Sequence, residues 1–198
     1  KGTIVNSLYH YPLYMRFFST AEKLEIAEIP FITTAPKPGR QDALEYYQGI
    51  ARQKDLSINL YEKVLNVRKN EEIFEVETSK SRYFAKNVII STGFYDLPNT
   101  MNIPGENLEK VKHYYTEPYP FAQQKIVVVG SSNSAVDAAL ETYRKGAEVT
   151  MIIRHSEISK SVKYWVKPDI ENRILEGSIK AHFNAELTEI KENTVIFK

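Results

Sequence analysis

The sequence predicts an α/β fold built on a parallel sheet that is flanked by helices. The apolar run 126–129 predicts a short buried strand, and residues 134–145 have the apolar spacing of a helix that ends at Gly146. A second apolar run, 149–153, follows at the distance expected of a β-α-β unit. We therefore expect the two strands to lie in one sheet, with the helix crossing between them in the right-handed sense.

The turn between the first strand and the helix has the pattern of a dinucleotide-binding turn, G-x-G-x-x-G/A, with the sequence GSSNSA at 130–135. Gly130 permits a tight turn, and the small Ala135 permits close packing of the helix on the strand. The N–H groups at the helix N-terminus offer hydrogen bonds to a pyrophosphate. Ser132 departs from the pattern, which has a second glycine there. A structural turn that binds nothing is the alternative to a Rossmann-like nucleotide-binding domain. The predicted pyrophosphate-binding residues are Gly130, Ser131, Ser132, Asn133 and Ser134.

The end of the second strand indicates which dinucleotide is bound. An NAD site usually has Asp or Glu about 20 residues after the glycines, where it holds the ribose 2′-hydroxyl. Arg154 and His155 occupy this place here, and Lys160 and Lys163 follow. A guanidinium pairs well with phosphate oxygens, so these residues favour NADPH, with its 2′-phosphate, over NADH. A solvated basic loop is the alternative interpretation.

Composition excludes several other functions. The net charge of +1 gives no electrostatic case for a nucleic-acid or membrane partner. No apolar run is long enough to span a bilayer, and no secretory signal is present. The absence of cysteine excludes disulfides and cysteine-based catalysis within these residues. The four histidines have no metal-ligand spacing, so we predict no metal site and identify no catalytic residue. Asp137 and Glu141 share one helix face, for which a solvated surface is the favoured interpretation.

The remaining chain alternates between one predicted helix and several strands. Residues 112–124, with Pro118 and Pro120, are predicted to be an interdomain linker, and 194–198 a strand without a closing partner. A buried strand is predicted to end in Ser91-Thr92-Gly93, which would place Thr92 and Gly93 where open α/β sheets bind ligands. The predicted helix is 42–54, and the predicted strands are 58–61, 64–68, 73–78 and 83–90.

Several segments together resemble a known family. The Ser91-Thr92-Gly93 segment, the Ile103-Pro104-Gly105 loop and VVVGSSNSAVDAAL resemble flavoprotein oxidoreductases of the thioredoxin-reductase type, which have two dinucleotide-binding domains. YHYPLYMRFFSTAEKLEIAEIPF, KHYYTEPYPF and WVKPD resemble the bacillithiol-disulfide-reductase-like branch of that family. The resemblance extends over essentially all 198 residues.

The resemblance implies a partial FAD-binding domain at 1–117 and an NADPH-binding domain at 118–198. It implies that Thr92 and Gly93 lie against the FAD, and that Val64 or its neighbour Leu65 meets the adenine through its backbone. It further implies transfer of hydride from NADPH to FAD and on to a low-molecular-weight disulfide, in a cytoplasmic, homo-oligomeric enzyme. A flavin monooxygenase-like enzyme and a non-catalytic nucleotide-binding module are the alternatives.

Three departures from the family pattern limit this transfer. The first FAD fingerprint and the Gly-Asp segment that closes the flavin site are absent from the sequence. Residues 113–117, His-Tyr-Tyr-Thr-Glu, stand where thioredoxin reductases carry Cys-x-x-Cys. We therefore expect an excised fragment that is inactive by itself and holds no tightly bound FAD.

Overall fold

The computed structural model describes residues 2–93 and 95–198, which divide into two compact units. Residues 2–11 and 16–97 belong to the first unit, apart from residue 94. Residues 12–15 and 98–198 form the second unit, so the predicted linker 112–124 lies inside it. Packing does not define which cofactor a segment binds, and the assignment of 1–117 to FAD and 118–198 to NADPH stays a prediction.

The first unit combines helices with an antiparallel sheet of order β1-β2-β3. Helix α2 begins after Gly39, whose N–H donates to the Asp42 carboxylate at 2.7 Å and so satisfies one free donor at the helix end. The Phe31 ring stacks on Tyr46 at a centroid distance of 4.1 Å and helps to cover α2. The elements are α1 (Asn6–Tyr9), a 3-10 helix (Ala21–Leu24), α2 (Arg40–Gln53), β1 (Val64–Asn70), β2 (Ile73–Thr78) and β3 (Arg82–Ala85).

Two strands predicted in this unit are wrong. Residues 58–61 lead into a turn in which Tyr61 has a φ of 53°, a left-handed conformation that lies outside the β region. The predicted strand 83–90 ends at Ala85, and residues 88–93 are not a strand. Ile89 is 89% exposed, so this apolar run is not buried either. A strand needs a neighbour to satisfy its backbone hydrogen bonds, and apolar composition alone does not supply one.

The second unit contains the predicted β-α-β unit. Strands β4, β5 and β6 form a parallel sheet in that order, and Ile126 lies opposite Val149 in the register. The prediction that 126–129 and 149–153 share one sheet is confirmed, and the helix between them begins and ends within one residue of its predicted bounds. The elements are a 3-10 helix (Tyr119–Phe121), β4 (Lys125–Val129), α3 (Asn133–Arg144), β5 (Glu148–Ile153), α4 (Lys167–Leu175), β6 (Lys180–Phe183), β7 (Leu187–Ile190) and β8 (Val195–Phe197).

Two apolar clusters hold the second unit together. In the larger one, Val136 and Leu140 of α3 pack with Met151 and Ile153 of β5, all of them at most 1% exposed. In the smaller one, Ile152 packs with Leu187 and Ile190 of β7. The predicted strand at 194–198 is confirmed as β8, but the expectation that it lacks a partner is wrong, because β8 pairs with β7 in antiparallel fashion.

The loop before β4 brings the backbone of Gly105 close to the backbone of Ile190 at the end of β7. Gly105 has a φ of +83°, and a Cβ placed on it would lie 1.8 Å from the Ile190 carbonyl oxygen. The Ile190 N–H donates to the Pro104 oxygen at 2.9 Å, which fixes the loop against β7. The buried Glu106 carboxylate accepts hydrogen bonds from the N–H groups of Met101 and Asn102, and these donors hold its pKa below the usual range.

Among residues 2–93 and 95–198, no helix is long and apolar enough to cross a membrane.

Candidate nucleotide-binding site

The turn after β4 requires glycine at its first position. Gly130 has a φ of +121°, which L side chains rarely adopt. Its N–H donates to the Ile152 oxygen at 3.0 Å and so continues the pairing of β4 with β5. A Cβ on Gly130 would lie 3.3 Å from the Ala135 Cβ, which shows how closely the helix approaches the strand end. Both small residues therefore have the packing roles that the sequence pattern predicts.

Helix α3 begins directly after this turn. Ser132 is its N-cap residue, and the Ser132 carbonyl accepts the first helical hydrogen bond from the Val136 N–H at 3.0 Å. The Ser132 hydroxyl makes no capping hydrogen bond, and Ser132 and Ser134 are exposed. The N–H groups of the first turn have no partner within the helix, so they are suited to an anionic ligand. Ser131 is buried, so its hydroxyl is not exposed to a ligand as the side chains of Ser132 and Ser134 are.

The segment after β5 folds back onto this turn. Ile158 and Val162 insert into the larger apolar cluster, and the Ser159 N–H donates to the Ser131 oxygen at 3.1 Å. The Asn133 side chain binds the same segment, with its Nδ2 donating to the Ser161 oxygen at 2.8 Å. The structure therefore brings the predicted pyrophosphate turn and the predicted basic segment into direct contact.

The cations of this basic segment differ in their surroundings. Arg154 is exposed at the carboxyl end of β5, and its Nε lies 3.3 Å from the exposed His155 Nε2. The Lys160 side chain is 87% exposed, and its Nζ lies 4.0 Å from Glu157 Oε1, at the outer limit of an ion pair. Lys163, in contrast, is 12% exposed and forms an ion pair of 2.8 Å with Asp137. Arg154 also lines a shallow pocket whose other residues are Asn184, Ala185, Glu186 and Lys198.

The helix face that carries Asp137 and Glu141 is not the solvated surface that the sequence favours. Asp137 binds Lys163, and the Glu141 carboxylate accepts the Tyr115 hydroxyl at 2.6 Å. Burial raises the pKa of Glu141, and the hydrogen bond from Tyr115 opposes this shift. Burial, together with the same carboxylate, also raises the pKa of Tyr115 above its ordinary value. Sequence reasoning missed Tyr115, because its partner lies 26 positions away.

The residues predicted to contact FAD all lie in the first unit and are exposed. Val64 is 52% exposed at the start of β1, where the register shifts between Val64 and Asn66. Thr92 and Gly93 are exposed and do not end a strand, although Gly93 has the left-handed φ of 72°. No hydrogen bond among the described residues joins either of them to Val64. These positions are exposed and separate, whereas the residues predicted to bind the nicotinamide nucleotide lie together in one turn.

The described part of the chain contains no group of three or more histidine, cysteine or carboxylate residues that could hold a metal ion.

A parallel sheet with a glycine turn, a helix N-terminus and a basic strand end defines a nucleotide-binding protein of the Rossmann type. The profile of the pyridine nucleotide-disulphide oxidoreductases matches residues 1–198. The chain therefore belongs to the pyridine nucleotide-disulphide oxidoreductase family, which is a family of flavin- and nicotinamide-dependent oxidoreductases.

Individual relatives agree with this assignment. The chain is 45% identical to bacilliredoxin reductase Bdr of Bacillus subtilis over 100% of its own length and 61% of that protein. The solved bacillithiol disulfide reductase of Bacillus cereus is 46% identical, with a TM-score of 0.98 over 100% of this chain and 63% of that one. The enzyme of the same description from Staphylococcus aureus is 39% identical, with a TM-score of 0.97 over 100% of this chain and 61% of that one. The chain thus spans less than two thirds of these relatives.

A more distant solved structure bears on one of the alternatives. A flavin-containing monooxygenase from Stenotrophomonas maltophilia is 21% identical, with a TM-score of 0.72 over 96% of this chain and 64% of that one. A likeness at this level of identity shows a shared fold alone. The Rossmann-like fold and the thioredoxin-reductase-like resemblance predicted from the sequence are confirmed.

Proposed function

We propose that the chain is part of an enzyme that passes hydride from NADPH to FAD and then reduces a low-molecular-weight disulfide. The observation that carries the proposal is the Gly130 turn with Arg154 at the end of the adjacent strand, in a chain of this oxidoreductase family. The turn suits a pyrophosphate, and the guanidinium suits a 2′-phosphate. We also propose that the enzyme is cytoplasmic and homo-oligomeric, as the family resemblance implies.

The nicotinamide nucleotide is held by the second unit. Backbone N–H groups of Ser132, Asn133 and Ser134 bind the pyrophosphate, because they lie at the exposed N-terminus of α3. Arg154 binds the 2′-phosphate, and His155 and Lys160 line the same exposed segment. Lys163 has a different role, because its ammonium is committed to Asp137.

The flavin nucleotide is held by residues of the first unit. The backbone of Val64 meets the adenine, and Thr92 with the bare Gly93 backbone lies against the FAD. This part of the proposal rests on the family, with residues 1–117 as part of the FAD-binding domain and 118–198 as the NADPH-binding domain. The exposure of Val64 and Gly93 supports it.

The two cofactors supply the redox chemistry, since the nicotinamide carries the hydride and the flavin accepts it. The protein needs no acid or base for this step, which agrees with the scattered histidines. These 198 residues contain no cysteine, so none of them can exchange with a disulfide. The residues of this chain therefore bind and orient the cofactors. The names of the relatives make bacillithiol disulfide the first substrate to test.

The test is an anaerobic absorbance experiment on the full-length protein. We expect a flavin spectrum that NADPH bleaches, that NADH bleaches far more slowly, and that bacillithiol disulfide restores. Recovery with oxygen but not with the disulfide would contradict disulfide reduction and favour the monooxygenase-like alternative. Purified protein that binds NADPH but contains no flavin would identify a nucleotide-binding module, and either result would contradict the proposal.

A further inference from the structure

We infer that Asn133 is a positioning residue for nucleotide preference, because its side chain holds the basic segment 154–163 at the pyrophosphate turn. The inference rests on the proposed binding of NADPH. It assigns to the Asn133 side chain a role different from that of its backbone N–H group, which is proposed to bind the pyrophosphate. The side chain contacts protein, and it acts on the nucleotide through Arg154 and Lys160.

The Asn133 amide makes two hydrogen bonds to residues two positions apart. Its Oδ1 accepts the Lys163 N–H at 2.9 Å, and its Nδ2 donates to the Ser161 oxygen at 2.8 Å. The acceptor and the donor are both used, so the orientation of the amide is defined by its partners. Alanine at this position would lose both bonds while retaining the backbone N–H.

A second contact from the same helix supports the same segment. Asp137 lies one turn after Asn133 and forms the 2.8 Å ion pair with Lys163. The Asp137 and Lys163 side chains are 24% and 12% exposed, so solvent screens this pair less than a surface pair. With Ile158 and Val162 buried, residues 158–163 are fixed by packing, hydrogen bonds and charge together. Lys160 remains exposed on these fixed residues, and the exposed residues 154–157 directly precede them.

This arrangement links the two phosphate subsites through one residue. The 5′ and 2′ positions of a ribose are a fixed distance apart, so the pyrophosphate turn and the 2′-phosphate residues must keep a fixed separation. Small displacements of a positioned group cost much of its contribution. NADH has no 2′-phosphate, so its binding does not depend on the position of Arg154. Release of the segment should therefore weaken NADPH selectively.

The test compares NADPH and NADH dissociation constants for the full-length protein and the N133A variant. We expect N133A to weaken NADPH binding on the order of tenfold and NADH binding less than about twofold. Hydrogen exchange should accelerate at the Lys163 amide, which loses its acceptor. D137N should shift the ratio in the same direction. N172A is the matched control, because Asn172 is exposed on α4 and its side-chain amide makes no hydrogen bond among the described residues.

The outcomes separate this inference from the proposed function. Equal weakening of NADPH and NADH in N133A, or unchanged binding of both, overturns the inference. R154A serves as the reference for the 2′-phosphate contact. Selective loss of NADPH in R154A without selective loss in N133A overturns the inference alone. Absence of selective loss in R154A overturns the proposed 2′-phosphate site, and the inference fails with it.

Discussion

At the scale of single residues, Arg154 has the position on which we propose that nucleotide preference depends. It follows the last residue of β5 and is exposed, and its Nε lies 3.3 Å from His155 Nε2. Among the described residues it forms no ion pair with a carboxylate. An incoming phosphate would therefore not have to displace a carboxylate from the guanidinium. Lys163 differs, because a phosphate there would compete with Asp137.

We predict that R154A in the full-length protein weakens NADPH binding by about tenfold to a hundredfold, the usual range for one charge-assisted contact. NADH binding should be nearly unchanged, and the double variant with K160A should lose more. Isothermal titration with both nucleotides measures the effect. K125A is the control for net charge, because Lys125 is exposed at the opposite end of the neighbouring strand. Equal weakening of both nucleotides would mean that Arg154 supports the fold instead.

A second residue-scale prediction concerns Gly105. G105A should lower the free energy of unfolding of the second unit by about 2–4 kcal/mol, because the left-handed φ strains alanine and the new Cβ overlaps the Ile190 carbonyl. Chemical denaturation measures this loss. G146A is the matched control, since Gly146 also has a positive φ but nothing lies within 4 Å of its added Cβ. A similar loss in both variants would show that conformation, and not the overlap, is responsible.

At the scale of elements, helix α3 connects the segments on either side of it. Asn133 and Asp137 bind the segment after β5, and Glu141 binds Tyr115 in the segment before β4. These residues are four positions apart, so they lie along one face of the helix. The face therefore organises two segments that are distant in sequence.

We predict that Y115F lowers the free energy of unfolding by about 1.5–3 kcal/mol at pH 8, because the half-buried Glu141 carboxylate loses a donor. The Tyr115 hydrogen bond lowers the Glu141 pKa, while burial raises it overall. Because the folded-state pKa is raised, Glu141 ionisation destabilises the fold as pH rises through that pKa, and Y115F enlarges this loss. The difference between wild type and Y115F should thus shrink as pH falls.

Denaturation at several pH values measures this prediction. Y164F is its matched control, because Tyr164 is 71% exposed and its hydroxyl makes no hydrogen bond among the described residues. A loss in Y115F that stays constant from pH 4 to pH 8 would contradict the role assigned to the Glu141 carboxylate.

The elements also show what sequence patterns can predict. The β4-α3-β5 unit follows from local signals, since a glycine turn and a helical period specify it within 30 residues. The strand expected at 88–90 fails because strand formation depends on a partner that the pattern does not contain. The Asn133 side-chain contacts could not be predicted either, because Ser161 and Lys163 are 28 and 30 positions away.

At the scale of the whole molecule, the two units have separate apolar clusters. One cluster surrounds α2, with Phe31 and Ala43, and the others lie on the parallel sheet and at β7. The residues proposed for NADPH all belong to the second unit, and those proposed for FAD belong to the first. Each cofactor should consequently leave its own pattern of protection.

We predict that NADPH slows hydrogen exchange in residues 130–136 and 154–163 and leaves helix α2 unchanged. Ligands protect the segments that they contact or order, and α2 shares neither a cluster nor a proposed contact with the nucleotide. Exchange followed by mass spectrometry measures the effect, with NADH as the comparison. Protection of α2 equal to that of the turn would contradict a site confined to the second unit.

The attachment of the basic segment to helix α3 has a consequence for redesign. The turn proposed to bind phosphate, the cationic residues and the side chains that contact their segment all fall within residues 130–163. Under the proposed function, one continuous stretch of sequence therefore determines the choice of cofactor. Transfer of residues 130–163 into a homologous NADH-dependent enzyme should also transfer the preference for NADPH. Introduction of an arginine at the position of Arg154 alone would supply the charge without the side chains that hold the segment in place.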